Sequence, residues 1–199
     1  MLTTAARPEV LADHTGRPKP LLSSALPYEQ ARLSVAFHEA GHAVLAMSYG
    51  IRVVASEVVA WTAENGRWAM TGSTTYDLGE THAWRFAAQA AAGEIAQVGY
   101  LMAHGLWTPE RAAACSAPHD REQAVDILAG FGFRLGRDHV PAGGKSWGMV
   151  QGMARRKVGH LWPEIRTVAH AMNDRTVLTG DEIAALTGRS NPPLPGGAS

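Results

Sequence analysis

The chain has 199 residues, of which 46% are hydrophobic and 18% charged, and its 18 basic and 18 acidic residues give a net charge of zero. This composition predicts a packed core and excludes disorder throughout, and the balanced charge does not favour a nucleic acid or an anionic membrane as a partner. The single cysteine, Cys115, excludes an internal disulfide and favours a reducing, cytoplasmic location. No stretch approaches the roughly 20 apolar residues of a membrane-spanning helix, so no membrane span is expected.

We expect one domain with a flexible segment at each end. Residues 1–26 contain three prolines and several charged residues, and they offer no apolar core of signal-peptide length. The tail, 189–199, is rich in proline and glycine and cannot continue a helix. Between them, 27–188 is predicted to be mainly α with a small β-hairpin or sheet, which is an α+β fold.

Hydrophobic periodicity predicts a series of helices with one hairpin near the start. In chain order the predicted elements are a helix at 28–49, a hairpin of strands 51–61 and 68–76, helices at 80–104, from 108 and at 116–130, a loop at 130–145, a helical stretch at 146–173 and a short helix at 179–186. Pro27 suits the first turn of the first helix, and Gly50 suits the position just past its end. The Asn65-Gly66 pair favours a tight turn in the hairpin.

Capping residues set the predicted boundaries of the later helices. Thr81 is expected to cap the second helix, and Thr108 and Ser116 the next two, each followed closely by a proline. Pro163 should end or kink the helical stretch near Trp162. The sequence Thr179-Gly180-Asp181-Glu182 is a capping box that opens the last helix.

The first predicted helix contains His38-Glu39-Ala40-Gly41-His42. Residues four apart share one face of a helix, so His38 and His42 can direct two imidazole nitrogens at one metal ion. Glu39 lies roughly 100° round the helix and flanks the ion without having to bind it. This is the H-E-x-x-H zinc signature, in which the glutamate acts as general base. The alternative is a core helix whose two histidines are merely hydrogen-bonded.

A catalytic zinc ion needs a third protein ligand and an open position for water. Any distant His, Asp or Glu can serve, and spacing alone does not choose among them. The histidines that remain as candidates are His82, His104, His119, His139, His160 and His170.

Four stretches, in order, resemble the protease domain of the FtsH family of ATP-dependent zinc peptidases. The first stretch, 37–43, contains the metal motif, and the second, 92–97, is similar to that family's glycine-alanine helix. The third, 116–124, is similar to the segment that carries the family's third zinc ligand, and the fourth, 173–183, is similar to its closing helix-turn-helix. The resemblance covers about 29–186. It implies that Asp120 is the third ligand beside His38 and His42, that Zn²⁺ is the cofactor, and that the fold is a zincin-like helical metallopeptidase domain.

The chain departs from that family at several points. Gln97 and Val98 stand where the family carries an acidic pair, although Gln97 can still accept one imidazole N–H. His119, beside Asp120, is expected to face solvent. No phosphate-binding ATPase module is recognised in this sequence, so the expected activity does not itself depend on ATP.

The expected function is that of a zinc-dependent endopeptidase, with zinc-activated water and Glu39 as general base. Its substrates would be peptides or flexible protein segments, reached alone or with a separate unfoldase as partner, and the edge strand of the hairpin could hold them. Candidates for the oxyanion donor are Tyr76, His82 and His139. The FtsH family forms rings, so the resemblance makes an oligomer a candidate state. The alternative function is a catalytically weak or inactive binding or adaptor module that retains the zinc site.

Overall fold

A computed structural model describes residues 15–17, 25–62, 68–79 and 81–193. In chain order its elements are α1 Tyr28–Ser48, β1 Arg52–Thr62, β2 Trp68–Asp77, α2 Ala83–Ala90, α3 Ala92–Ala103, α4 Pro109–Ala114, α5 Pro118–Gly130, β3 Leu135–Gly136, β4 Lys145–Ser146, α6 Trp147–His160, α7 Trp162–Arg175, β5 Val177–Thr179 and α8 Gly180–Thr187. The chain is therefore mainly helical with a small antiparallel sheet, as predicted. Among the described residues, no helix combines the length and the apolar character that a membrane span requires.

The predicted hairpin forms the larger part of a three-stranded antiparallel sheet. β1 pairs with β2 from Arg52↔Asp77 to Thr62↔Trp68, which confirms the hairpin. The predicted Asn65-Gly66 turn falls in 63–67, outside the described residues. The strand order β2-β1-β5 leaves β2 at one edge. The third strand, β5, was not predicted, because three residues are too few to display a periodicity.

Helix α1 is the centre of the fold. It packs against α3 and α7 on one side and against the sheet on the other, so every residue from Ser34 to Met47 is buried. A helix surrounded in this way need not carry a polar face. Close contact with α3 depends on Gly41, because a Cβ there would lie 2.7 Å from the carbonyl oxygen of Ala92. Three ionisable residues of α1 are thereby buried in the core.

The helix predicted over 80–104 is wrong in one respect, since the structure contains two helices, α2 and α3, separated at Ala91. The break lies in the turn that begins at Gln89, whose carbonyl oxygen accepts a hydrogen bond from the imidazole of His42. The same carbonyl also accepts a backbone N–H at the end of α2, so the break coincides with this contact from His42. The predicted cap is also wrong, because the side chain that accepts from the backbone N–H of Trp84 belongs to His82.

The helix boundaries farther along the chain are mostly those predicted. Thr108 caps α4, and the capping box of Thr179 and Glu182 opens α8. The predicted break before Pro163 is present at Leu161, between α6 and α7. Ser116 does not cap α5; its N-cap residue is Ala117, which makes no side-chain cap.

Two loop segments carry structure that periodicity did not predict. The loop at 130–145 contains β3, which pairs in parallel with β4. Beyond α8, the side chain of Asn191 accepts from the N–H of Val53 and donates to its carbonyl, so this part of the tail contacts β1. The rest of the predicted tail, 194–199, and most of the predicted N-terminal segment lie outside the described residues.

Candidate metal centre

The structure brings His38 and His42 of α1 together with Asp120 in the first turn of α5. The Nε2 atom of His38 lies 3.0 Å from Nε2 of His42 and 3.0 Å from Oδ2 of Asp120, and the third edge of the triangle, from His42 to Asp120, is 3.1 Å. The three residues are only 5–7% exposed. No other group of His, Cys, Asp or Glu in the described chain converges in this way.

The triangle fits the requirements of a small divalent metal ion. Imidazole nitrogen and carboxylate oxygen bind such ions at about 2.0–2.2 Å, which separates the donor atoms of one tetrahedral ion by about 3.3 Å. The observed edges are a few tenths of an ångström shorter, so small side-chain movements would open the triangle to that size. The buried His-His-Asp cluster could therefore hold a metal ion.

Each imidazole is oriented by a hydrogen bond at its other nitrogen. Nδ1 of His38 lies 3.0 Å from Oε1 of Gln97, and the Gln97 amide nitrogen donates to Oγ of Ser34 at 3.1 Å. Nδ1 of His42 donates to the carbonyl oxygen of Gln89 at 2.8 Å. Partners of this kind fix the ring so that Nε2 faces the metal. The expectation that Gln97 accepts an imidazole N–H is therefore confirmed.

Asp120 is oriented by its neighbour in the sequence. Nε2 of His119 lies 3.0 Å from Oδ1 of Asp120, which leaves Oδ2 facing the two imidazoles. The expectation that His119 faces solvent is thus wrong in part, since only 29% of its side chain is exposed and its ring is engaged with the carboxylate. His119 and Asp120 both lie in the first turn of α5, so this turn brings both side chains to the cluster.

The electrostatics of the cluster favour an anionic carboxylate beside a positive charge. Burial alone would raise the pKa of Asp120, but the charge of His42 and hydrogen bonds from His119, His38 and His42 hold it well below its usual value. Burial alone would lower the pKa of His42, and the carboxylate of Asp120 outweighs this effect and raises it to about 9. A metal ion would therefore compete with a proton for His42, as metal ions commonly do at histidine ligands.

Glu39 lies beside the triangle and does not belong to it. Its Oε2 accepts a hydrogen bond from Oγ1 of Thr74 on β2 at 2.7 Å, and that hydroxyl also meets Oγ of Ser56 at 2.8 Å. The carboxylate occupies the space over Gly72, where any Cβ would collide with it. The contacts of Gly72 and Thr74 with Glu39 were not predicted from the sequence, although a glycine inside a strand can signal close approach of another group.

Of the three candidates for an oxyanion donor, only Tyr76 lies at the cluster. It lines a polar recess together with Glu39, His42 and Asp120. Burial raises the pKa of Tyr76 well above 10, and the nearby carboxylates raise it further, so the phenol keeps its proton and can donate. His82 caps α2, and His139 is exposed in the loop before β4. Neither of these two histidines lines the recess.

The same recess contains a free acceptor. Gln89 is 1% exposed and lines the recess, and its Oε1 has no hydrogen-bond partner among the described residues. Buried polar atoms are nearly always paired, so an unpaired acceptor next to a candidate site suits an incoming N–H group. The recess therefore offers a donor and an acceptor within reach of Glu39.

No family model matches the chain, and no curated protein matches it.

Gly93 of α3 gives the cluster its most specific structural requirement. A Cβ on this residue would collide with Nε2 of both His38 and His42. We expect Gly93→Ala to displace both imidazoles and to lower zinc affinity at least about tenfold, as measured by competition with a chromophoric chelator.

The matched control is Gly152→Ala on α6, where a Cβ would meet nothing within 4 Å. This variant should bind zinc as the unmodified protein does, and its helix should be slightly more stable. Equal zinc affinity in the two variants would show that Gly93 does not shape the metal centre.

Proposed function

We propose that the protein is a zinc-dependent endopeptidase with a zincin-like site. The observation that carries this proposal is the position of Glu39, a buried carboxylate held by Thr74 next to the triangle of His38, His42 and Asp120. A metal site with only a structural role would not need a carboxylate that lies beside the ligands without belonging to them. A general base so placed is what hydrolysis requires.

Each residue of the proposed site would have a separate role in peptide hydrolysis. His38, His42 and Asp120 would hold the ion. When bound, zinc acts as a Lewis acid that acidifies water and polarises a carbonyl group. Glu39 would take a proton from the attacking water and later deliver it to the leaving amine, while Thr74 keeps the carboxylate in position. The phenol of Tyr76 would donate a hydrogen bond to the oxygen on which negative charge develops.

The sheet offers a place for an extended substrate. β2 is an edge strand, and its residues Gly72 and Thr74 lie against Glu39. An extended peptide that added to this edge by backbone hydrogen bonds would pass directly over the carboxylate. We therefore propose peptides and flexible protein segments as substrates, since a folded chain cannot lie along the strand. A separate unfoldase would extend the range to folded proteins.

The resemblance to the FtsH protease domain supports the proposal through the arrangement of its segments. The segment at 92–97 supplies Gly93 and Gln97 to the cluster, and the segment at 116–124 supplies Asp120. Residues from segments that are distant in the sequence thus lie together at the cluster, which supports the proposal. Membership of that family remains a proposal.

The replacement of the family's acidic pair by Gln97 and Val98 argues mildly for a catalytically weak adaptor module. That argument loses weight because Gln97 lies within hydrogen-bond distance of Nδ1 of His38. An adaptor remains the alternative outcome of the test that follows.

Removal of the metal ion should abolish peptide cleavage. We expect the zinc-loaded protein to hydrolyse members of a quenched fluorescent peptide library, excess chelator to stop the reaction, and restored zinc to recover it, because Glu39 alone cannot activate water sufficiently. Mass spectrometry of the products identifies the cleaved bond. Stoichiometric zinc binding without cleavage of any peptide would favour the adaptor module, and cleavage that survives chelation would contradict a metal-dependent mechanism.

A further inference from the structure

A second cavity adjoins the candidate metal centre at His38 and Glu39. Its mouth is lined by His38, Glu39, Gly72 and His119, together with Val35, Gln97, Ala114 and Cys115. Glu39 therefore borders both the polar recess and this mouth. A peptide that lies over the carboxylate along β2 would therefore pass close to both cavities.

The mouth continues into an apolar pocket. Four residues, Val35, Gln97, Ala114 and Cys115, line both the mouth and the pocket, so the two spaces adjoin. The apolar side chains that complete the pocket are Leu26, Ala31, Met70 and Leu101, all of them buried. The cavity of this pocket has a volume of about 100 Å³, below the roughly 300–1,000 Å³ typical of pockets for whole ligands, so it suits a single side chain.

The pocket wall also contains Glu110, which is exposed, and Arg111, whose Nη1 donates to the carbonyl oxygen of Leu106 at 2.9 Å. The buried polar groups of the wall are paired with one another or with the backbone. Gln97 uses its carbonyl on His38 and its amide nitrogen on Ser34. The thiol of Cys115 donates to the carbonyl oxygen of Arg111 at 3.3 Å, and burial raises the pKa of this thiol to about 11, so the sulfur stays neutral. Apart from Glu110 and Arg111, the wall offers a charged occupant no group to replace its lost water, whereas an apolar side chain gains burial against the buried apolar residues.

We propose that this pocket is the specificity pocket of the endopeptidase and that it takes a large apolar side chain, such as leucine, methionine or phenylalanine, adjacent to the scissile bond. The inference rests on the proposed peptidase function and adds the class of substrate to it. Helix α4, through Ala114, and the segment before α1, through Leu26, close the pocket. Since both elements lie outside the metal motif, they would set specificity independently of catalysis.

The test uses short quenched peptides that differ only at one residue next to the cleaved bond. The unmodified protein should cleave peptides with leucine or phenylalanine there with a kcat/KM about 10- to 100-fold above that for alanine, and aspartate and lysine should be poorer still. Ala114→Leu, which narrows the pocket, should remove most of this preference. The matched control, Ala113→Leu, alters an exposed residue of the same helix that does not line the pocket and should keep the preference.

A second measurement separates this inference from the peptidase proposal. Fluorescence anisotropy with zinc-loaded Glu39→Gln protein reports binding of labelled leucine and alanine peptides without cleavage. The pocket assignment is supported if the leucine peptide binds more tightly than the alanine peptide and Ala114→Leu abolishes this difference. If that result is obtained but no peptide is hydrolysed by the unmodified protein, only the peptidase proposal fails. Three results would overturn the pocket assignment. They are cleavage without an apolar preference, the same peptide preference in the Ala114 and Ala113 variants, and an Ala114→Leu protein that changes only in oligomeric state.

Discussion

Replacing Glu39 with glutamine should lower kcat for peptide cleavage by about 10²- to 10⁴-fold while zinc stays bound. Glutamine retains a carbonyl oxygen that can accept the hydroxyl of Thr74, which lies 2.7 Å from the carboxylate. It cannot take a proton from water, and general-base catalysis of this kind is worth about that factor. The measurement is steady-state cleavage of a quenched peptide, with zinc content determined on the same samples.

Glu29→Gln is the matched control for this experiment. It makes the same chemical change on the same helix, at an exposed residue in the first turn, ten positions before Glu39. We expect its kcat to equal that of the unmodified protein. If Glu39→Gln kept full activity with zinc bound, Glu39 would not be the base and the proposed mechanism would be wrong.

The second large effect is expected at Asp120, the proposed ligand that lies outside the helical motif. Asp120→Asn removes the negative charge that faces both imidazoles at 3.0 and 3.1 Å. We expect zinc affinity to fall by at least about 100-fold, because loss of a ligand should exceed the 10- to 100-fold effect of losing an orienting partner. Competition titration against a chelator of known affinity measures the change.

Asp126→Asn is the matched control for the Asp120 variant, since Asp126 lies on the same helix and is exposed. Zinc affinity in this control should be unchanged. Circular dichroism should show the helical content of both variants to be intact, which separates loss of the ion from loss of the fold. If Asp120→Asn bound zinc as tightly as the control, the third ligand would have to be another residue.

The helical part of the metal centre could be predicted from the sequence because it depends on local periodicity. His38 and His42 lie one turn apart, so their common face follows from the geometry of any helix. Residue type and spacing do not identify a third ligand from a distant segment, and Asp120 was chosen through a family resemblance. Its position depends on how α5 packs against the rest of the fold, which no local pattern records.

The residues that support the cluster were mostly beyond sequence analysis for the same reason. Thr74 meets Glu39 only because the β1–β2 hairpin folds over α1, and His119 could be oriented toward Asp120 or toward solvent in an isolated helix turn. The break at Ala91 was missed because 80–104 has continuous helical periodicity. The carbonyl of Gln89 next to this break accepts a hydrogen bond from His42, a residue 47 positions away.

The central claim is that His38, His42 and Asp120 hold a zinc ion, and anomalous diffraction at the zinc absorption edge tests it most directly. Crystals of the zinc-loaded protein should give one strong peak about 2.0–2.2 Å from Nε2 of both histidines and from Oδ2 of Asp120. A peak at any other group of residues, or no peak at this cluster from protein that had bound stoichiometric zinc, would contradict the account.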